Sequence, residues 1–156
     1  MKSYKLINST TISDDDPDRQ SRMIGFFVAL DDFMKSRHNY KRSKLVPYVN
    51  KVDAKCSKFT VSIRFGAGDD VSITAIQFKD RRKGHCAALV EFIDSISETY
   101  RIPSVEFISV ESEGMRAFVM KNRFKNREPC WSPISHGLAD SPNWYRPTKF
   151  GCRSAH

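Results

Sequence analysis

The residues with the clearest chemical potential form a basic turn at positions 81–89, with the sequence RRKGHCAAL. An alternating stretch at 70–78 precedes the turn and an apolar-striped stretch at 84–97 follows it, which predicts a strand, a turn and a helix. The first backbone N–H groups of a helix are free to donate, and the helix dipole adds positive potential there. The turn therefore predicts a phosphate site, with a solvated charged loop as the alternative.

Charge, hydropathy and cysteine spacing limit the partners, the location and the metal sites that this chain can have. The 156 residues include 26 Lys and Arg against 18 Asp and Glu, a net charge of +8, which favours nucleic acid, phosphorylated cofactors or acidic proteins as partners. We expect a soluble, intracellular, cytoplasmic protein with no membrane partner, because there is no run of about 20 apolar residues and no signal peptide pattern. The four cysteines are widely separated in the sequence and include no C-x-x-C pair, which argues against a metal site. Whether Cys130 pairs with Cys152 stays open.

The N-terminal third predicts one long helix and a basic loop. Asp16 and Pro17 form a helix start, and apolar residues at helical spacing extend the helix to about residue 35. The run 35–44 that follows interleaves five cations with a histidine and a tyrosine, which suits phosphate contact and base stacking as well as simple solubility. Residues 46–52 are interpreted as a short helix or an irregular segment.

The remaining elements predict the fold class. Residues 58–65 and 70–78 alternate like two strands of a hairpin. Residues 105–110 predict a strand parallel to 70–78, because the intervening helix makes a crossover, and 115–122 predict a short helix. The tail 128–156, rich in proline and aromatic residues, is interpreted as a long loop or hairpin packed on the body. We therefore expect an α/β (α+β) fold, with a mixed, mostly antiparallel sheet flanked by helices and a central strand-turn-helix site.

In this order the elements resemble the GNAT acyltransferases, the GCN5-related N-acetyltransferases. The coenzyme A signature of that family is R/Q-x-x-G-x-G/A at a strand-to-helix turn. Arg81 and Gly84 match its first and fourth positions, whereas Cys86 replaces the final small residue. Ile76 stands where the family has an apolar residue at the end of the strand. The resemblance implies one GNAT-like acyltransferase domain over residues 1–156.

The resemblance also implies acetyl-CoA as the cofactor and assigns residues to it. The strand end at 74–76 would pair its backbone with the pantetheine arm, and the N–H groups of 82–87 would hold the pyrophosphate. Basic side chains of the turn would reach the phosphates, and a side chain at Gly84 would push a phosphate away. The candidate cofactor-binding residues are Thr74, Ala75, Ile76, Arg81, Arg82, Lys83, Gly84, His85, Cys86 and Ala87.

A weaker match to the family pattern N-x-x-A-x-x-x-Y-x-K-x-G-F covers residues 112–124, where Lys121 and Phe124 agree. Val119 stands where many members have the tyrosine that protonates the leaving thiolate. A substrate ammonium must also lose its proton, which calls for a carboxylate or a histidine. The candidate catalytic residues are Glu111 and Glu113 as proton acceptors, with Ser112 or Tyr145 as a replacement acid. Each glutamate has an alternative as a solvated loop carboxylate, and Tyr145 as a ring packed on Trp144.

Three functions are compatible with these residues. The first is an acetyl-CoA-dependent N-acetyltransferase acting on an amine of an unidentified acceptor, which could be a protein, a nucleic acid or a small molecule. The second, suggested by Cys86 and Val119, is a weak or inactive GNAT-fold protein that binds nucleic acid or a protein partner through its basic surface. The third is a plain nucleic-acid-binding domain. A His85–Cys86 catalytic pair is disfavoured, because adjacent helical residues point about 100° apart.

Overall fold

A computed structural model describes residues 17–66, 68–81, 83–110, 112–127, 130–132, 137–139 and 142–154. Its elements are α1 (Pro17–His38), β1 (Leu45–Pro47), β2 (Lys51–Lys55), β3 (Phe59–Phe65), β4 (Val71–Phe78), α2 (His85–Tyr100), β5 (Ser104–Phe107), α3 (Glu113–Lys121), β6 (Lys125–Asn126), β7 (Cys130–Ser132), β8 (Gly137–Ala139), β9 (Trp144–Pro147) and α4 (Lys149–Ser154). None of the helices within these ranges is long and apolar enough to cross a membrane.

A seven-stranded sheet in the order β1-β2-β3-β4-β5-β9-β6 forms the centre of the fold, and β7 and β8 form a separate hairpin. Within the large sheet, β4 and β5 run parallel and every other described pair is antiparallel. Helix α2 connects the parallel pair, as a crossover between parallel strands requires. The predicted fold class, a mostly antiparallel mixed sheet with flanking helices, is confirmed.

Helices α1 and α2 pack beside each other and supply much of the core. The rings of Phe33 and Phe92 stack at 4.3 Å between these helices, and Phe26 lies 6.1 Å from Phe65 of β3. Each fully buried side chain of this size stabilises the fold by about 1.5–3 kcal/mol. Helix α1 starts at Pro17 as predicted and extends beyond residue 35 to His38, whereas Asp16 lies outside the described residues.

Strand β4 separates from β5 halfway along its length. The two strands pair over Val71, Ser72 and Ile73, and the last contact is the bond from Ile108 N–H to the Ile73 carbonyl at 3.0 Å. The register between β3 and β4 shifts at this point, which leaves Thr74 as an extra residue on β4. Such a bulge bends a strand and increases its twist. Consequently the second half of β4 pairs with β3 alone, and a gap opens toward β5.

The interpretation of residues 46–52 as a helix or an irregular segment is wrong. Residues 45–55 form a hairpin of the short strands β1 and β2, closed by a bond from Tyr48 N–H to the Lys51 carbonyl at 2.7 Å. Val52 and Ala54 are buried while their neighbours along the strand are not, a period-two pattern that three to five residues make hard to recognise. Pro47 is compatible with β1 because this strand lies at the edge of the sheet.

The tail contributes more than the predicted loop or hairpin. Besides the β7–β8 hairpin, it inserts β9 between β5 and β6 of the large sheet. Thr148 N–H then donates to the Pro103 carbonyl at 3.0 Å, and Lys149 N–H to Asp94 Oδ1 at 2.9 Å, so that α4 is fixed against α2 and the start of β5. Cys152 of α4 is an exposed free thiol.

Candidate cofactor-binding site

Two adjoining grooves follow the separated edge of β4. The smaller, of about 250 Å³, lies in the gap between β4 and β5. The larger, of about 660 Å³, runs between the end of β4, the basic turn, the start of α2 and one face of α3. Ile76, Ser112 and Met115 line both grooves. Together they provide one path from the strand gap to the first turn of α2.

The structure brings the described cofactor candidates together along this path. Thr74, Ala75 and Ile76 line the smaller groove, and Arg81 and residues 83–87 line the larger one. Arg82 lies outside the described residues. The role of each residue toward a cofactor stays a prediction, but their placement along one continuous path is a property of the fold.

Gly84 sets the geometry of the α2 N-terminus. It is the N-cap residue with φ 71° and ψ 20°, a left-handed conformation that disfavours a side chain. A Cβ placed on it would meet no atom of the described residues within 4 Å, so the space before the helix is open. The first helical bond is donated by Ala88 N–H to the Gly84 carbonyl at 2.9 Å. The preceding N–H groups of residues 85–87 lie ahead of this ladder and remain available to an anion.

Arg37 ties the end of α1 to the basic turn. Its Nε donates to His85 Nδ1 at 3.1 Å, and its Nη2 donates to the Lys83 carbonyl at 3.2 Å. The His85 ring also packs near His38 at 4.7 Å and Phe78 at 5.1 Å. Desolvation and the nearby Arg37 charge lower the pKa of His85. Because Nδ1 already accepts from Arg37, His85 is held as part of the turn rather than as a base for Cys86.

Cys86 lines the larger groove as a protonated thiol. Burial raises its pKa to about 12, so almost none of it is thiolate at neutral pH. This agrees with the expectation that the adjacent His85 does not activate it, because an activated cysteine has a lowered pKa. Its sulfur therefore contributes volume and polarizability to the groove wall.

We expect Cys86 to react with iodoacetamide at pH 8 at least about tenfold more slowly than the exposed Cys152, because the thiolate is the reactive form. Mass spectrometry of peptides from a time course would give the two rates separately. Equal rates would contradict the partly buried, protonated state of Cys86.

His38 is buried between aromatic rings behind the turn. Its ring lies 4.8 Å from that of Phe59 and stacks at 5.5 Å on that of Phe78. Desolvation, followed by the charges of His85, Arg37 and Lys58, lowers its pKa to about 4. The neutral imidazole is therefore the native form.

Lowering the pH from 6.5 to 4 should reduce the free energy of unfolding by about 2 kcal/mol through His38. Over this range the imidazole is protonated in the unfolded chain but stays largely neutral in the native state. Urea unfolding at several pH values would measure the slope. The variant His38→Phe keeps the ring packing and should lose this part of the slope. An unchanged slope in the variant would contradict the assignment.

Helix α3 turns a different residue toward the groove than the sequence alignment suggested. Val119, aligned with the family tyrosine, is fully buried in the core. The aromatic ring that α3 presents to the groove belongs to Phe118, which packs edge-on against Phe107 at 5.8 Å. Phe118 has no hydroxyl group, so this ring cannot donate a proton.

The catalytic candidates are not brought together in the same way. Ser112 lines both grooves, but its Oγ accepts from Met115 N–H at 3.1 Å as the N-cap of α3. Glu113 is exposed in the first turn of α3 and lines neither groove. Tyr145 lies on β9 with its ring 4.3 Å from the guanidinium of Arg127, and it also lines neither groove. Glu111 lies outside the described residues.

Sequence reasoning missed an ion pair between a buried carboxylate of β5 and the half-exposed Arg127. The carboxylate of Glu106 accepts from Arg127 Nε at 3.0 Å and from Nη2 at 3.1 Å, and Glu106 is 8% exposed. The bond to Glu106 raises the pKa of Arg127. The sequence does place this carboxylate between the apolar Val105 and Phe107 in a predicted strand. If that strand lies inside the sheet, the carboxylate is buried and needs a cationic partner. The pair fixes β5 to the segment beyond β6 and so supports one wall of the gap.

No protein-family model matches this sequence, and no curated protein sequence matches it significantly. Solved structures are similar to parts of the chain. Many of them are acetyltransferases, several named as GNAT or N-acetyltransferases. A GNAT-family acetyltransferase of Staphylococcus aureus is 12% identical with a TM-score of 0.47, covering 86% of this chain and 96% of its own.

Two further similar structures come from other organisms. The PaiA N-acetyltransferase of Thermoplasma acidophilum, in complex with coenzyme A, is 12% identical with a TM-score of 0.44, covering 76% of this chain and 68% of its own. An acetyltransferase of Thermus thermophilus is 8% identical with a TM-score of 0.45, covering 63% of this chain. The present chain matches 64% of that protein's length. At these identities the similarities assign no activity.

Proposed function

We propose that this protein is an acetyl-CoA-dependent N-acetyltransferase of GNAT type. The observation that carries the proposal is the separation of β4 from β5 after Ile73, which leads along one path to the open N-terminus of α2 at Gly84. A ligand that combines a narrow arm bearing amides with a pyrophosphate matches both ends of this path. Coenzyme A has that form.

Each part of coenzyme A would find a physical partner. The edge of β4 beyond Ile73 has no strand partner on the β5 side in the described chain, so its backbone groups suit the amides of the pantetheine arm. The N–H groups of residues 85–87 and the positive end of α2 suit the pyrophosphate. Arg81 and Lys83 line the same groove and add positive charge.

The reaction would be direct attack of an acceptor amine on the thioester carbonyl. A C–N bond forms, the C–S bond breaks, and the coenzyme A thiolate leaves and takes up a proton, for which Ser112 and Tyr145 stay the predicted donors. The protein's contribution would be to hold the two reactants in line and to offer backbone N–H groups near the Thr74 bulge to the developing oxyanion. Glu111 and Glu113 stay the predicted acceptors of the amine proton. The net charge of +8 favours an acidic acceptor over a polycationic one.

A second candidate is a coenzyme A-binding protein with little transferase activity. Phe118 favours it, because the groove-facing ring of α3 has no hydroxyl to protonate a departing thiolate. Binding and transfer must therefore be measured separately.

Radiolabelled acetyl-CoA incubated with the protein and with cell extract or acidic peptides tests the proposal. Acetyl transfer that is lost in Gly84→Glu supports the transferase. Saturable acetyl-CoA binding without transfer to any acceptor supports the second candidate instead. Absence of both binding and transfer overturns the proposed function.

A further inference from the structure

A second pocket lies on the other side of the basic turn, between the end of α1, the start of β3 and the end of β4. It has a volume of about 360 Å³, and all of its lining side chains are polar or charged. They are Arg37, His38, Asn39, Ser57, Lys58, Lys79, Asp80 and His85. Only Asp80 and His85 also line the larger cofactor groove. The pocket is thus a neighbour of that groove with its own set of side chains.

Three of the pocket residues are cationic and one is acidic, which gives an excess of positive charge. Two of the cations are held in place by hydrogen bonds. Arg37 donates to His85 and to the Lys83 carbonyl, and Lys58 Nζ donates to the His38 carbonyl at 2.6 Å. Fixed cations lose less conformational entropy when they bind an anion than mobile ones do. The arrangement therefore has the charge and the order of an anion site.

His38 gives a second and independent indication of a ligand. The residue is 7% exposed, and its Nε2 has no hydrogen-bond partner among the described residues. An unsatisfied buried polar atom costs about 1–3 kcal/mol. His38 lines the pocket, but its Nε2 has almost no accessible surface, so a ligand oxygen reaches an Nε2–H donor only after a small shift of the surrounding side chains.

We infer that this pocket binds a phosphate group, and that it does so as a site separate from the cofactor groove. Tetrahedral phosphate oxygens can accept from Lys79 and Lys58 as well as from the Nε2–H of His38, and charge-assisted bonds of this type are strong. Asp80 at the shared rim opposes the anion. The phosphate could belong to a separate phosphorylated ligand or to the terminal 3′-phosphate of a coenzyme A bound next door.

Calorimetric titration with inorganic phosphate, at constant ionic strength balanced with chloride, tests the inference on the full chain. Saturable binding should weaken at least about tenfold in Lys79→Glu and in His38→Phe. Lys125→Glu makes the same charge change at an exposed position on the far edge strand β6 and should leave the affinity within about twofold. Asp80→Asn should strengthen binding by about threefold. No saturable binding, or equal loss in Lys79→Glu and Lys125→Glu, would overturn the inference.

Competition identifies the source of the phosphate. If coenzyme A displaces inorganic phosphate and dephospho-coenzyme A does not, the pocket holds the 3′-phosphate of the cofactor. If neither displaces it, the pocket serves a separate phosphorylated ligand. If both displace it, inorganic phosphate occupies the pyrophosphate position of the groove, and a separate site is refuted. The titration with phosphate alone stands whether or not coenzyme A binds, so it can fail independently of the proposed function.

Discussion

Replacing Gly84 with glutamate is expected to weaken coenzyme A binding by at least about a hundredfold. The left-handed backbone at this residue costs a side chain about 1–2 kcal/mol. The new carboxylate would also point into the open space before α2 and oppose the pyrophosphate at the helix N-terminus. Isothermal titration calorimetry with coenzyme A measures the change directly.

Two variants separate the causes of this loss. Gly84→Ala introduces the backbone cost without the charge, and its Cβ meets no described atom, so it should weaken binding by about tenfold at most. Gly68→Glu places the same side chain in the turn before β4, at the other end of that strand, and should leave the affinity unchanged. Wild-type affinity in Gly84→Glu would remove the groove from consideration as the cofactor site.

Replacing Gly151 with alanine is expected to destabilise the fold by about 3 kcal/mol or more. A Cβ at this position in α4 would lie 1.9 Å from the carbonyl oxygen of Pro103 and 2.9 Å from its carbonyl carbon. Both atoms belong to the backbone of Pro103, directly before β5, and cannot rotate away. The helix or the strand must shift, and the position of β5 beside the gap to β4 depends on that contact.

Gly114→Ala is the matched control, because this glycine lies in α3 and a Cβ there meets no described atom within 4 Å. A helical alanine is about 0.5–1 kcal/mol more favourable than glycine, so this variant should be slightly stabilised. Urea unfolding curves give both free energies. Equal stability of the two variants would contradict the packing of α4 on β5.

The sequence predicted those parts of the fold whose pattern is local. The β3–β4 hairpin and α2 each have a complete periodic pattern of apolar residues. The basic turn between them is recognisable from its glycine and its cations. Strands β1 and β9 were missed because they have three and four residues, too few for a pattern. Strand β9 also owes its place in the sheet to pairing with β5, about 40 residues away in the chain.

The difference between local patterns and long-range contacts also decides which residues of the candidate cofactor site could be predicted. The cofactor candidates lie in two short stretches, so their placement along one path follows from the strand, the turn and the helix that contain them. Which side chains of α3 face the groove depends on the rotation of the helix about its axis, because successive residues point about 100° apart. That rotation places Phe118 in the groove and Val119 in the core. The hydrogen bond from Arg37 to His85 joins residues 48 positions apart in the chain, so no local sequence pattern predicts it.

A coenzyme A site between β4, α2 and α3 is tested most directly by titrating the isotope-labelled protein with coenzyme A and following its backbone amide resonances. We predict the largest shifts in two stretches, 74–76 beside the strand gap and 83–87 at the start of α2, with smaller shifts along 114–122. These stretches are the walls of the two grooves. Saturating shifts confined to the loop at 39–44, or no shifts at all, would contradict a coenzyme A site between β4, α2 and α3.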